Sequence, residues 1–154
     1  MKIDYVILAD GAQAIGGKLY VLGGGWSIFH AQSYPAPLNL AIGVGVSYDA
    51  FEFGTTHPWN VAIADETGVP IVPEMGGQLP VPQPLAQMPK GVTNRLPFVL
   101  QIGLVVPRPG KYSITVGCGS STVRTDFDAL FVRALAPGAT PADLPDPTPD
   151  EPRN

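Results

Sequence analysis

Gly16-Gly17-Lys18-Leu19-Tyr20-Val21-Leu22-Gly23-Gly24-Gly25-Trp26 is the stretch on which the reading of this chain turns. An apolar run enters three consecutive glycines and ends on one of only two tryptophans. Glycine lacks a Cβ, so it tolerates positive φ and close backbone approach. Three in a row inside a strand pattern predict a bulge or sharp bend that re-aims the chain beyond it. The first residue past the bend is Trp26, a large apolar anchor. The stretch reads as the organising corner of a β-sheet protein.

Outward from that corner the chain keeps a period of two. Residues 3–9 alternate with apolar residues on both sides, the pattern of a strand covered on both faces. Asp10-Gly11 is a turn or bend signal. Lys18–Leu22 is the second strand, and Ser27–Ala31 reads as its continuation after the bend. Tyr34-Pro35-Ala36-Pro37 interrupts pairing, because proline donates no ladder hydrogen bond. Leu38, Leu40, Ile42, Val44 and Val46 then alternate strictly against Asn39, Ala41, Gly43, Gly45 and Ser47. Residues 49–57 form a loop in which Phe51 and Phe53 are candidates to tuck inward. Trp59, Val61 and Ile63 lead into Asp65-Glu66-Thr67-Gly68 and then Val69–Val72, a hairpin signal. Residues 73–93 hold five prolines and read as irregular, with a short edge strand near Gln78–Val81. Residues 98–106 and 112–118 alternate on either side of Pro107-Arg108-Pro109-Gly110 and read as a hairpin. Val123–Val132 is the last strand. No window has helical periodicity.

Composition bounds the rest. The chain has 154 residues, 45% hydrophobic and 14% charged, which suits one folded domain. Glycine and proline number 18 each and mostly separate apolar runs, as turns of an all-β fold do. Residues 134–154 differ. They carry six prolines and four acids against Arg153, so three of the four net negative charges sit there. Such a segment cannot repay its ordering entropy and is expected to be a disordered acidic tail following a domain at 1–133. Nine Lys and Arg residues are scattered, without the basic stripe that nucleic-acid binding needs. The apolar run Tyr5–Ala9 is shorter than the ~7–15 residues of a signal-peptide core, and no run approaches the ~20 of a membrane span. One cysteine, Cys118, excludes an intrachain disulfide. A cytoplasmic protein is expected.

The expected fold is an all-β antiparallel sandwich of about eight or nine strands. Residues 96–118 and the strand after them resemble the last strands of immunoglobulin-like sandwiches, over about 40 residues. A sharper likeness lies upstream. Asp4-Tyr5, Leu8-Ala9-Asp10, Ala12-Gln13 and Gly17–Trp26 resemble the opening of a family of uncharacterised bacterial proteins. These are common in actinobacteria and carry a later Gly-Gly-Gln like Gly76-Gly77-Gln78. The resemblance spans residues 3–133 and implies a bacterial all-β protein, with no function to carry over.

The search for chemistry returns few candidates. The glycine triplet is not a phosphate loop, because lysine precedes it, tryptophan comes after it and no helix comes next. His30 and His57 lack metal-ligand spacing, and no metal is expected. No Gly-x-Ser-x-Gly elbow marks a nucleophile. Cys118 falls on the apolar face of its strand, where a small buried hydrophobe is expected over a reactive thiol. Asp126 and Asp128 share one strand face and could join loop acids around calcium, but a solvated face is the preferred reading. Trp26, Tyr34, His57 and Trp59 are candidates to line a pocket for an aromatic or sugar-like ligand. Ala41, Gly43 and Gly45 leave one face of their strand nearly flat, which suits a second copy, a partner, or a covering loop such as residues 73–93. The function expected is therefore a non-catalytic binding or interaction module without cofactor. It would act as a homo-oligomer or with a protein partner, and with neither nucleic acid nor membrane. A structural component of a larger, phage-like assembly and an enzyme with a dispersed site are the alternatives.

Overall fold

Alternating apolar residues set nine strands, in two sheets, in a computed structural model that describes residues 1–83 and 93–132. The strands are β1 (Lys2–Ile15), β2 (Lys18–Gly24), β3 (Ile28–Ala31), β4 (Ala36–Tyr48), β5 (Thr56–Asp65), β6 (Met75–Pro80), β7 (Asn94–Val106), β8 (Gly110–Cys118) and β9 (Ser121–Phe131). One sheet has the order β2-β1-β4-β7 and the other β3-β9-β8-β5-β6. The all-β two-sheet architecture is as expected. Its ladders are antiparallel except that of β3, which runs parallel to its neighbour, β9. Among the described residues no helix is long and apolar enough to cross a membrane. The expectations for residues 134–154 lie outside the described residues.

The core lies between the sheets. From β4 it takes Leu38, Leu40, Ile42, Val44 and Val46, all buried as their alternation requires. The other sheet supplies Tyr112, Ile114, Val116 and Phe127. Phe127 stacks on Tyr112 at a centroid distance of 5.3 Å. Asp65 closes this layer at one end: its carboxylate accepts hydrogen bonds from the Thr67 hydroxyl, the Thr67 and Val69 amides and Arg108.

Several sequence expectations change. Residues 98–106 and 112–118 do not pair: β7 joins β4 and β8 joins β5 and β9. Their apolar faces look at each other across the core instead of lying side by side. Two prolines in the connection hold φ near −65° and cannot form the positive-φ turn of a tight hairpin, so the chain arches from one sheet to the other. Residues 28–31 do not continue the second strand but cross to the other sheet as β3. Residues 69–72 form no strand, only a bridge between Ala64 and Pro70. Phe51 stands in solvent on a 3-10 turn at Ala50–Glu52, whereas Phe53 packs edge-on against Tyr48. Pro37 lies inside β4, tolerated because β1 accompanies β4 only as far as Ala41.

The largest departure is at the start. The first strand does not stop at Ala9 but runs to Ile15 and turns through Gly16-Gly17, at φ +57° and +74°, the geometry of a two-residue hairpin. Asp10-Gly11 is a bend in one arm, and Gly23, at φ +59°, a bend in the other. Beyond the bends the hairpin folds over the outer face of its own sheet. There Leu19 and Ala12 pack with Ala9, Ala41 and Val99, and the Gln101 side chain donates to the Ala12 carbonyl at 3.3 Å. The glycine corner thus does re-aim the chain, and it makes a small third layer.

Candidate functional site

The bent hairpin leaves a groove around its root. Gly23 is required there twice. Its φ is positive, and a Cβ would fall 2.1 Å from the Asp10 carboxylate. The Asp10 side chain occupies the space that Gly23 leaves at the bend, where it lines two adjoining clefts. The first, of about 280 Å³, has walls of Trp26, Ile28, Phe29, His30 and Leu38. The second, of about 210 Å³, is bounded by Asn39, Ala41, Gln101 and Gly103. Gln101 passes from this second cleft into a third, of about 290 Å³, formed by Gln13, Tyr20, Val21 and Leu22 on the hairpin. The three are strung together through Asp10 and Gln101. The groove offers one carboxylate, one imidazole and three side-chain amides between aromatic and aliphatic walls.

The four candidates for one pocket fall into two groups. Trp26 is half-buried and packs edge-to-face on Phe127 at 5.9 Å; its indole N–H is buried without an acceptor among the described residues. Tyr34 is near it, donating to the Leu130 carbonyl at 3.1 Å, and burial pushes its phenol above the ordinary range. Trp59 and His57 sit at the other end of the sandwich. Trp59 pairs with Cys118, whereas Trp26 touches Phe127, which pairs with Tyr112. Six residues of β8 separate those points, about 20 Å of strand. Trp59 packs on Phe98 and lies over Gly77.

At that far end His57 is a structural neighbour of charge. Its Nε2 is 3.0 Å from the Thr55 hydroxyl and 3.3 Å from Glu52, which also receives the Met1 amine and the Asp49 amide. Burial opposes ionisation of Glu52, yet these donors hold its carboxyl below the usual range. Cys118 is buried with Sγ 3.2 Å from the Met1 sulfur, and burial raises its thiol pKa, so it packs as expected of a small hydrophobe.

Ala41, Gly43 and Gly45 point away from the main core but are buried, which corrects their reading as a free interface. Tyr5 lies across Gly45 and Leu19 across Gly43. The cover is supplied by the chain's own β1 and β2; residues 84–92 of the loop expected there lie outside the described residues. Asp126 and Asp128 do share a strand face, but Arg124 pairs with Asp126 at 3.1 Å. Among the described residues no group of three His, Cys, Asp or Glu side chains is placed to hold a metal.

Asp10 and Gln101 had no functional signal in the sequence: Asp10 read as part of a turn, and Gln101 falls between the apolar residues of an alternating strand. The available clue was symmetry, since Asp10-Gly11 and Leu22-Gly23 stand at matching distances from Gly16-Gly17.

No curated protein matches the chain. The sequence profile described as Family of unknown function (DUF6941) matches residues 4–125, from the start of β1 into β9. The chain belongs to that family.

Proposed function

We propose that this member of the family is a non-catalytic binding module whose ligand lies in the groove around the bent hairpin. The observation that carries the reading is the continuity of three clefts through Asp10 and Gln101. Each cleft is smaller than the ~300–1,000 Å³ of a small-molecule pocket, so an extended ligand spanning two or three is the better fit. Alternating amides and apolar walls suit a largely neutral chain with hydrogen-bonding groups on an apolar-faced body. Amide resonances followed during titration with short oligosaccharides and short peptides test this. Shifts confined to residues 10–13, 20–30, 38–41 and 101–103, and lost in Asp10→Ala, are expected. Shifts centred on His57 and Trp59 would refute the placement.

The same proposal puts the protein in the cytoplasm of a bacterium, actinobacterial by the likeness of residues 17–26; a single buried thiol suits that compartment. A second reading, a component of a larger phage-like assembly, draws support from the exposed Ile15, Tyr20 and Leu22 of the hairpin.

A further inference from the structure

We infer that the free edge of β2 is where a second copy of this chain binds, strand against strand, about a two-fold axis through Val21. The inference goes beyond the groove and does not depend on it.

Backbone geometry supplies the first argument. A two-residue turn at Gly16-Gly17 makes Ile15 and Lys18 the closing hydrogen-bonded pair. Hydrogen-bonded pairs then alternate, so Ala12 and Val21, which oppose each other, turn their backbone groups away from one another. The Ala12 carbonyl bears this out, because it is free to accept from Gln101. The N–H and C=O of Val21 therefore face outward, as do those of Leu19, and among the described residues β2 has no strand on that side.

The edge is also unguarded. Sheet edges are ordinarily protected by shortness, proline or charge. β3 has four residues, β6 has six and ends in Pro80, and β7 carries Arg95 and Pro97. β2 has seven residues, no proline and one charge, at its first position. Its side chains are apolar and in water: Tyr20 is 53% exposed and Leu22 74%.

The occupant follows from self-complementarity. Antiparallel pairing centred on Val21 sets the two Val21 residues opposite each other as a hydrogen-bonded pair, exchanging both N–H···O bonds. Tyr20 then lies opposite Leu22 of the second copy, and Leu22 opposite its Tyr20, an aromatic–aliphatic cross-strand pair made twice. Lys18 faces Gly24, so no like charges meet. One patch serving both copies is what a two-fold interface requires. Tyr20 and Leu22 also wall the third cleft, so the second copy would bring its own pair beside that end of the groove.

Sedimentation equilibrium of the full chain across micromolar to millimolar concentration tests the inference. A dimer is expected. Val21→Pro deletes an N–H that β1 does not use, so the monomer should melt unchanged. Self-association should weaken about 30-fold, the equivalent of two backbone hydrogen bonds. Tyr20→Glu should weaken it too, and adding Leu22→Lys should restore it, because the introduced carboxylate then faces the introduced ammonium. A wild-type chain that stays monomeric overturns the inference, as does a dimer that Val21→Pro leaves intact. If Val21→Pro lowers the melting midpoint, the charge pair decides: loss and recovery support the interface, and no change in either variant overturns it. Groove titrations on the wild-type chain, run well below the concentration at which it dimerises, keep the two readings apart.

Discussion

Gly45→Ala is expected to destabilise the protein, although alanine usually improves a strand. Gly45 is in extended backbone, so the substitution brings no strain of its own. In open space it would add about 0.4–1 kcal/mol of stability by restricting the unfolded chain. Here an added Cβ would fall 2.2 Å from the Tyr5 ring, which must leave. Tyr5 is 36% exposed, so about two-thirds of it is out of water. A fully buried tyrosine removes about 150–250 Å² from water, so roughly 100–160 Å² is lost. At ~25 cal/mol per Å² that is about 2.5–4 kcal/mol. The new methyl group re-covers part of the surface and the backbone gain offsets more, leaving a net loss of about 1.5–3 kcal/mol. For a domain of this size that lowers the melting midpoint by about 4–12 °C. The assay is thermal unfolding of Gly45→Ala, Tyr5→Ala and the double variant. In the Tyr5→Ala background the alanine should be neutral or stabilising, with a coupling of about 2–4 kcal/mol between the sites. A Gly45→Ala protein that melts at or above the wild type would refute the account of why glycine stands there.

Acid should weaken the end of the sandwich held by Asp65. Its carboxyl is lowered from 3.8 to about 2, chiefly by the Thr67 hydroxyl and then by Arg108 and the Val69 and Thr67 amides, with burial acting against them. A depressed folded pKa gives stability that is present above the unfolded value and lost as pH falls towards the folded one. The gap in urea midpoint between wild type and Asp65→Asn should therefore close from about pH 5 to about pH 2; a constant gap would contradict the role. Cys118 should resist thiol reagents in the native protein and react fully once unfolded, and fast native labelling would show that the end of the sandwich is open.

How much of this was legible depends on what alternation encodes. It states which face of a strand is apolar, and on that ground β4, β7, β8 and the core residues Leu38 to Val46 could be read directly. It does not state which sheet a strand joins. Residues 98–106 and 112–118 looked like partners because both are apolar on one face and adjacent in sequence, a pattern that two facing strands share. The flat face of Gly43 and Gly45 was visible as a feature needing a cause. Its cause, Tyr5 and Leu19, depends on how β1 and β2 register against a strand well downstream, which no local pattern carries. The groove was half legible. Trp26 stood out by size and by the glycines before it, whereas Asp10 and Gln101 gain their meaning only from the fold of the hairpin over β4.

The bent hairpin also orders events in time. Its arms close on a two-residue turn, and such hairpins form in about 1–10 μs. The ground it lies on takes far longer to assemble, because Gly43 must find Val99 across 56 residues of chain, and folds built from such distant pairings take milliseconds to seconds. Early in folding, the hairpin therefore exists with Leu19 and Ala12 still in water and nothing to cover. An apolar ribbon with an open edge is the kind of species that aggregates before it can dock. The hazard in the life of a new chain is set by how long β4 waits for β7.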